Sequence, residues 1–504
     1  MNRQLTLGLT AFLLLLVVPC SGAGCQSRIR WVNCSENVPS NLSLAGVDLS
    51  NLPDTLHCGQ IDVPMDYSQP MAQTNMITLG LAMHRPAHPK GVLFVNTGGS
   101  DPVVIEAWKL ALNQSAEFSG VADYDLMMMD VRGTFSSNPV SVSLEVAQSF
   151  PIGFPNNDTE FEAMREASAA FFQSWIDSSS PPGIIQFLRT EEVVQDYEQI
   201  RRALNYDKIN YIGMSYGTYR GQRYASKFPE RVGRFVLDSV VPHGRTLLDK
   251  ARDQINAANR ALLRADAHCQ NNVSCPFHSQ GQGAVPKAWH SILQNVSQAA
   301  EACAVNCSDI IQPILVQQSL HGLLLGQTDF SNLVDLLEIA VEGNPSSLLP
   351  TSSLTVEDIV AIPLECGDIG TISTAYPVSL RALISKINLY CSGWPFPVTP
   401  EPSILNLHDM LMVTADFDTD SPTEWTTFAW KRAPRSGLVV RHGDGHVSFN
   451  LFNQPATKIA TEFLNTGHLP RGENESLVSV YAPNTMRAPI PDPYEVPTTP
   501  LNED

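Results

Sequence analysis

The stretch Lys208–Tyr224, KINYIGMSYGTYRGQRY, constrains this chain more than any other. Ile209, Tyr211 and Ile212 form a short β-prone run that ends in Gly213-Met214-Ser215-Tyr216-Gly217. Residues with helical spacing follow, Tyr219, Tyr224 and Ala225 among them. A strand, a tight turn with serine at its centre and a helix are what a G-x-S-x-G turn needs to lift a hydroxyl above a sheet edge. The glycines leave room for a turn too tight for ordinary side chains. The N–H of Tyr216 then lies where a reacting oxygen would sit. The alternative is a glycine-rich turn with an incidental serine, and the flanking strand and helix favour the first reading.

The rest of the chain supplies the sheet that such a turn requires. Gly91–Val95 is a continuous apolar run, as expected of a strand buried on both faces, and Tyr124–Met129 is a second. Ile61–Pro64 and Ile77–Met83 predict two strands upstream. Thr190 reads as an N-cap with acids in the first turn behind it, and Val193, Tyr197, Ile200 and Leu204 share one helical face. Arg234–Val240 is a further strand. This alternation predicts an α/β chain with a mostly parallel sheet and flanking helices. From residue 242 to 404 the pattern turns helical, with close cysteine pairs, and reads as an inserted cap over the sheet. The sheet pattern resumes at Asp409–Thr414 and Gly437–Arg441. The core thus spans 24–241 and 405–470, and the Pro-rich, acidic segment 471–504 is expected to be an extended, loosely ordered tail.

Arg3, the apolar run Leu5–Val18 and the small residues Ser21-Gly22-Ala23 read as a secretory signal over residues 1–23. The run is short of the ~20 residues that a membrane-spanning helix needs. Cysteine usage agrees with export. Outside the signal, neighbour pairing gives Cys34–Cys58, Cys269–Cys275, Cys303–Cys307 and Cys366–Cys391, with Cys25 left over. Asn33, Asn41, Asn113, Asn157, Asn272, Asn295, Asn306 and Asn474 all stand in N-x-S/T sequons, so N-glycans are expected on a protein that leaves the cell. The net charge of −19 argues against nucleic acid or an anionic membrane surface as partner. No Cys-x-x-Cys pair or histidine cluster suggests a metal, and no cofactor is expected.

A serine hydroxyl is a poor nucleophile without a base, and the base needs a carboxylate to orient it. In this architecture they follow the serine in the order acid, then histidine, each just past a strand. Asp416, Asp418 and Asp420 follow the strand ending at Thr414, and His442 and His446 follow the strand ending at Arg441. Asp238, after the preceding strand, is an alternative acid. Three aspartates in a row also suit a solvated turn before Pro422, and at most one of them belongs to a triad. Gly98 and Gly99, past the Gly91–Val95 strand, are placed to offer a second oxyanion donor beside Tyr216.

These motifs together resemble the secreted tripeptidyl-aminopeptidase-like α/β-hydrolases, relatives of prolyl aminopeptidases, from about Cys58 to Gly467. The family's serine motif falls on Ser215-Tyr216-Gly217-Thr218, its acid motif on Asp418-Thr419-Asp420-Ser421-Pro422 and its terminal Gly-His on Gly445-His446. Asp196–Leu204, Phe228–Val232, Val236–Asp238, Asp130–Gly133 and Glu365–Asp368 resemble further family segments. The resemblance implies an α/β-hydrolase fold with a helical cap, and it selects Ser215, Asp418 and His446 as the triad. It implies a serine peptidase of exopeptidase type, with a peptide or small acyl group as substrate. An esterase, lactonase or thioesterase is the alternative, and an inactive hydrolase-fold binding protein a third reading. It also makes Glu365 and Asp368 candidates to hold a substrate amino terminus. Ser100-Asp101-Pro102 departs from the family's Gly-Gly-Pro-Gly loop and places a charge at the mouth of the site.

Overall fold

The computed structural model describes residues 27–40, 42, 47–151, 155, 157–303, 310–324, 326, 328–349, 355–356, 359–369, 389–398, 410–449, 451, 453–470 and 476–498. The expected signal segment, Cys25, Cys307, Asn41, Asn306, Asn474 and Asp409 lie outside them.

One ten-stranded sheet carries the molecule. Its strands are β1 (Ile29–Val32), β2 (Leu56–Val63), β3 (Ile77–His84), β4 (Val92–Asn96), β5 (Asp125–Met129), β6 (Ile209–Met214), β7 (Val232–Asp238), β8 (Met410–Phe417), β9 (Gly437–Asp444) and β10 (Val478–Tyr481). They lie in the order β1-β2-β3-β5-β4-β6-β7-β8-β9-β10. The run from β5 to β9 is parallel, while β1, β2, β3 and β10 pair antiparallel at the two edges.

The continuous apolar runs are explained by burial on both faces. Phe94, Met127 and Tyr211 point into one core, and Leu93, Met128 and Ile212 into the other. Helix α1 (Val104–Ala111) packs on the second face through Ala107 and Trp108. After the short α2 (Leu144–Gln148) come α3 (Asp158–Ser178), α4 (Thr190–Ala203) and α5 (Tyr216–Lys227), which supply the first face with Phe172, Trp175, Val193, Tyr197 and Tyr224.

Between β7 and β8 lie α6 (Leu247–Asn271), α7 (Ala284–Ala302), α8 (Pro313–Leu324), α9 (Phe330–Val341) and α10 (Ala361–Ile369). Helices α6 to α9 enclose a core of their own around Val285, Val316, Leu333 and Leu337. Two more helices, α11 (Thr423–Lys431) and α12 (Pro455–Thr466), follow β8 and β9. Disulfides join Cys34–Cys58, Cys269–Cys275 and Cys366–Cys391, the pairs that sequence proximity predicts. Cys303 is also disulfide-bonded.

Two expectations need correction. Thr190 is not the cap of α4 but its first residue, and Arg189 precedes it without a side-chain cap. The Thr190 amide is instead met by the Asp368 carboxylate at 3.0 and 3.2 Å, from 178 residues away in sequence. The C-terminal segment is also more ordered than its composition implies. It adds β10 to the sheet, Ser479 Oγ lies 2.7 Å from His442 Nε2, and Arg487 pairs with Asp416 at 2.8 Å. Farther on, Arg264 of α6 donates to the carbonyls of Pro493 and Pro497 at 2.6 and 2.7 Å.

The segment Asp130–Gly133 holds a fully buried ion pair. Arg132 donates to both oxygens of Asp196 at 2.7 and 2.6 Å and to the carbonyls of Met65, Phe187 and Pro64, while Tyr67 donates to Asp196 at 2.7 Å. Every charge is matched, so removing one partner strands the other. Arg132→Ala is expected to cost about 3–5 kcal/mol of stability, read as a lower urea midpoint.

Candidate functional site

Ser215 sits between β6 and α5 with φ 50° and ψ −125°, a conformation that costs a non-glycine residue on the order of 1–3 kcal/mol. Its N–H donates to the Asp238 carbonyl at 3.0 Å, which ties the turn to β7. The strain rests on the serine itself, since Gly213 and Gly217 do not have positive φ. Those glycines serve close packing instead. A Cβ on Gly217 would stand 2.3 Å from the Asn96 carbonyl oxygen, and one on Gly213 2.7 Å from the Gly217 carbonyl oxygen.

Gly98 and Gly99 follow β4 with φ 104° and 43°, the left-handed region that favours glycine. Gly98 lies against the turn so closely that a Cβ there would be 2.8 Å from Ser215 Cβ and 3.1 Å from the Tyr216 nitrogen. The structure therefore brings together Ser215, Tyr216 and the Gly98–Gly99 loop. Arg220, which sequence reasoning missed, holds that loop from α5. It donates to Asn96 Oδ1 and to the Gly99 carbonyl, both at 2.9 Å, and stands 5.1 Å over the Tyr216 ring. The signal for it was a cation on a buried helix, five residues past the serine.

Asp418 at the end of β8 is fully buried and faces His446 Nδ1 with both oxygens, at 2.9 and 3.1 Å. It also accepts from the amides of Asp420 and Ser421, both at 2.9 Å, which fixes its rotamer. Burial pushes the His446 imidazole down, but the Asp418 and Asp420 carboxylates outweigh it and carry its pKa up to about 9.

Neither alternative member takes part in this pair. Asp238 accepts from the amides of Ser448 and Phe449 at 2.7 and 3.0 Å, so it anchors the loop that carries His446. His442 pairs with Asp416 at 2.6 Å and with Ser479 at 2.7 Å, an acid–histidine–serine arrangement that fastens the edge strand β10. Arg441 further supports the histidine loop, donating to Asp444 O, Gly445 O and Ser448 Oγ at 2.6, 3.0 and 3.1 Å.

The helical insertion reaches this site at two levels. The Leu324 carbonyl accepts from Thr419 Oγ1 at 2.6 Å and the Gly326 carbonyl from the His446 amide at 2.7 Å. On α10, Asp368 is committed to structure, since it accepts from Thr190 N, from Thr190 Oγ1 at 2.6 Å and from Tyr216 Oη at 2.9 Å. Glu365, one turn earlier, keeps some accessible surface. Burial carries its pKa up to about 7, opposed by Arg220 and reinforced by Asp368 and Asp420.

Comparison with known proteins bears directly on this arrangement. A family model described as "alpha/beta hydrolase fold" matches residues 92–295, from β4 through the Ser215 turn into the insertion, and the sheet order and turn geometry define that class. A second model, "TAP-like protein", matches residues 376–476, which contain Asp418 and His446. The chain is 30% identical over 207 residues to a tripeptidyl aminopeptidase of Streptomyces lividans, covering 39% of this chain and 37% of the relative. It is 27% identical over 269 residues to the serine protease Hip1 of Mycobacterium bovis, covering 53% and 49%. It is 25% identical over 467 residues to a putative hydrolase, YuaR, of Escherichia coli, covering 83% and 87%. The aligned region therefore spans less than half the length of the tripeptidyl aminopeptidase and of Hip1. Taken together, the sheet order and these matches show an α/β-hydrolase fold that is similar over part of its length to a tripeptidyl aminopeptidase and to serine protease Hip1.

A methyl group on Gly98 would press on Ser215 Cβ and the Tyr216 amide in a backbone region closed to alanine. Loss of one oxyanion donor costs about 10²–10³ in kcat in serine hydrolases. Gly98→Ala is expected to lose turnover on that scale with its unfolding transition still cooperative, as measured by steady-state kinetics beside thermal denaturation.

Proposed function

We propose that this protein is a serine aminopeptidase that releases short peptides from the amino terminus of its substrate. The observation that carries the reading is the strained Ser215 turn, backed by Gly98 and accompanied by the Asp418–His446 pair. In this reading Ser215 Oγ attacks the scissile carbonyl and passes its proton to His446 Nε2. The electron pair of the carbonyl moves onto oxygen, held by the N–H of Tyr216 and by the Gly98–Gly99 loop at the positive end of α5. His446 then protonates the leaving nitrogen as the carbon–nitrogen bond breaks, and Asp418 holds the imidazole tautomer throughout. Water attacks the acyl-serine by the same route in reverse.

Glu365 favours an amino-terminal substrate over a simple ester. Its carboxylate meets no hydrogen-bond donor among the described residues and feels the charges of Arg220, Asp368 and Asp420, which suits it to a substrate ammonium. Asp368, with both oxygens taken, suits the role less well. The insertion, seated on Thr419 and His446, would act as a cap that admits chain ends and excludes folded chains. The relatives named tripeptidyl aminopeptidase and serine protease support the same direction. Export is supported by the residue 1–23 signal pattern and the disulfides, and by sequons at Asn33, Asn113, Asn157 and Asn295 that are exposed.

The deciding test compares free-amine and N-blocked di- and tripeptide amides with simple acyl esters, using Ser215→Ala as control. Free-amine peptides should be cleaved, blocking should abolish cleavage, and Ser215→Ala should be inert; turnover of esters alone would overturn the peptidase assignment. Glu365→Gln should raise KM for free-amine peptides by about 10-fold or more and change kcat little, consistent with a hydrogen bond to a charged group. Because Glu365 must be ionised to bind an ammonium, KM in the parent should rise as pH falls through about 7, and that dependence should vanish in the Gln variant.

A further inference from the structure

The imidazole of His446 has a carboxylate at each nitrogen. Asp418 faces Nδ1, and on the opposite side Asp420 Oδ2 stands 3.5 Å from Nε2. The two acids differ in setting: the Asp418 side chain is fully buried, while that of Asp420 keeps 31% of its surface. The Asp420 main chain is held at both ends, its N–H donating to Asp418 Oδ1 at 2.9 Å and its carbonyl accepting from Gln254 Nε2 at 3.1 Å. These contacts fix the Asp420 main chain without involving the carboxylate, whose Oδ2 stands beside Nε2 at ion-pair and not hydrogen-bond geometry. Among the described residues no lysine or arginine forms an ion pair with Asp420, and its side chain stands 3.5 Å from His446 Nε2.

The other charged groups around the imidazole are mostly acidic. Asp238 lies on β7, Asp101 on the loop after β4, and His321 on α8 beside Asp420. Arg441 on β9 is turned to the carbonyls of Asp444 and Gly445. Glu365 on α10 adds a further acid, and the nearby Arg220 acts on Asp101 and Glu365 and donates to Asn96 and the Gly99 carbonyl, without an ion pair to Asp420 among the described residues.

We propose that Asp420 is a positioning residue for the base, holding the protonated imidazole at Nε2 in the resting enzyme and setting the pH at which His446 becomes available to Ser215. This rests on the reading of Ser215 and His446 as nucleophile and base. An Nε2 that already carries a proton cannot accept the one from Ser215 Oγ as the oxygen–carbon bond forms. Once that transfer has occurred, the same carboxylate stabilises the imidazolium until its proton passes to the leaving nitrogen. Asp420 therefore holds back the reaction at neutral pH and favours it once the base is free. The raised His446 pKa, about 9, agrees with two carboxylates acting on one ring. The base is competent above its pKa, so activity climbs with pH, and removing the Asp420 charge must move that climb to lower pH.

The test uses the full chain, with Asp420→Asn and Asp420→Glu beside the parent. The rate of covalent labelling of the serine by a fluorophosphonate is followed against pH, together with kcat/KM for a free-amine tripeptide amide. Asparagine keeps both main-chain contacts and removes only the charge. In the parent, labelling should rise through about pH 9. In Asp420→Asn the midpoint should fall by on the order of one pH unit. Near neutral pH its rate, relative to its own alkaline plateau, should then rise by up to about tenfold. Asp420→Glu should return the midpoint toward that of the parent. Asp420→Ser removes the same charge with a smaller side chain and replaces the Asn variant if that one does not fold. Coincident midpoints in the parent and either uncharged variant would overturn the proposal. The labelling readout needs no peptide, so a pH shift without peptide turnover would uphold the role of Asp420 and count against the aminopeptidase reading alone.

Discussion

The backbone of Ser215 occupies a region that a serine does not choose, and the rest of the molecule is arranged to keep it there. The turn is held from one side by the Asp238 carbonyl of β7 and from the other by the end of β4, where Asn96 and Gly98 come within contact of Gly217 and of the serine itself. That holding works only while β4, β6 and β7 keep their parallel register, with Asn96 beside Gly213 and Met214 beside Asp238. The two apolar cores on either face of those strands are what resist slippage, because a one-residue shift would turn every inward side chain to the wrong face. Strain at one residue is thus held by packing over the whole sheet.

Charge is distributed with the same logic. Away from the site Arg132 and Asp196 are matched in full, and next to it Asp238 and Arg441 are spent on main-chain groups of the histidine loop. At the site the matching is looser: among the described residues neither Glu365 nor Asp420 forms an ion pair with a lysine or arginine, although Arg220 and Lys250 act on Glu365 from farther away. A carboxylate left without a fixed cation keeps its field for groups that come and go, a substrate ammonium or the proton on a histidine. The insertion takes part through main-chain carbonyls at Leu324 and Gly326, which lock it to the loops of Asp418 and His446 without adding charge there.

Much of this was legible in the residues. The central strands could be read because burial on both faces makes them continuous apolar runs, and the Ser215 turn because its flanking elements have distinct periods. The edge strands β1 and β10 could not, since each is only four residues long and too short to show a period. Thr190 has the composition of an N-cap, yet it is the first helical residue and its own amide is met by Asp368, a contact that no local pattern encodes. The same is true of Arg220: its role lies in reaching Asn96 and Gly99, both more than a hundred residues earlier.

The residues by themselves determined the alternating strand–helix order and the turn that presents Ser215, because each rests on neighbours within a few residues, while the family resemblance selected Asp418 and His446 from their neighbours. Tertiary structure alone decided what the other charged groups do. Asp416, Asp418 and Asp420 are equivalent in local sequence, but pleating and the turn after β8 send them to His442, to Nδ1 of His446 and toward its Nε2. Asp238 and Asp368 likewise accept from amides of distant segments, at Ser448 and Thr190. A carboxylate's chemistry is set by which donors surround it, and those donors are brought together only when the sheet and its insertion close.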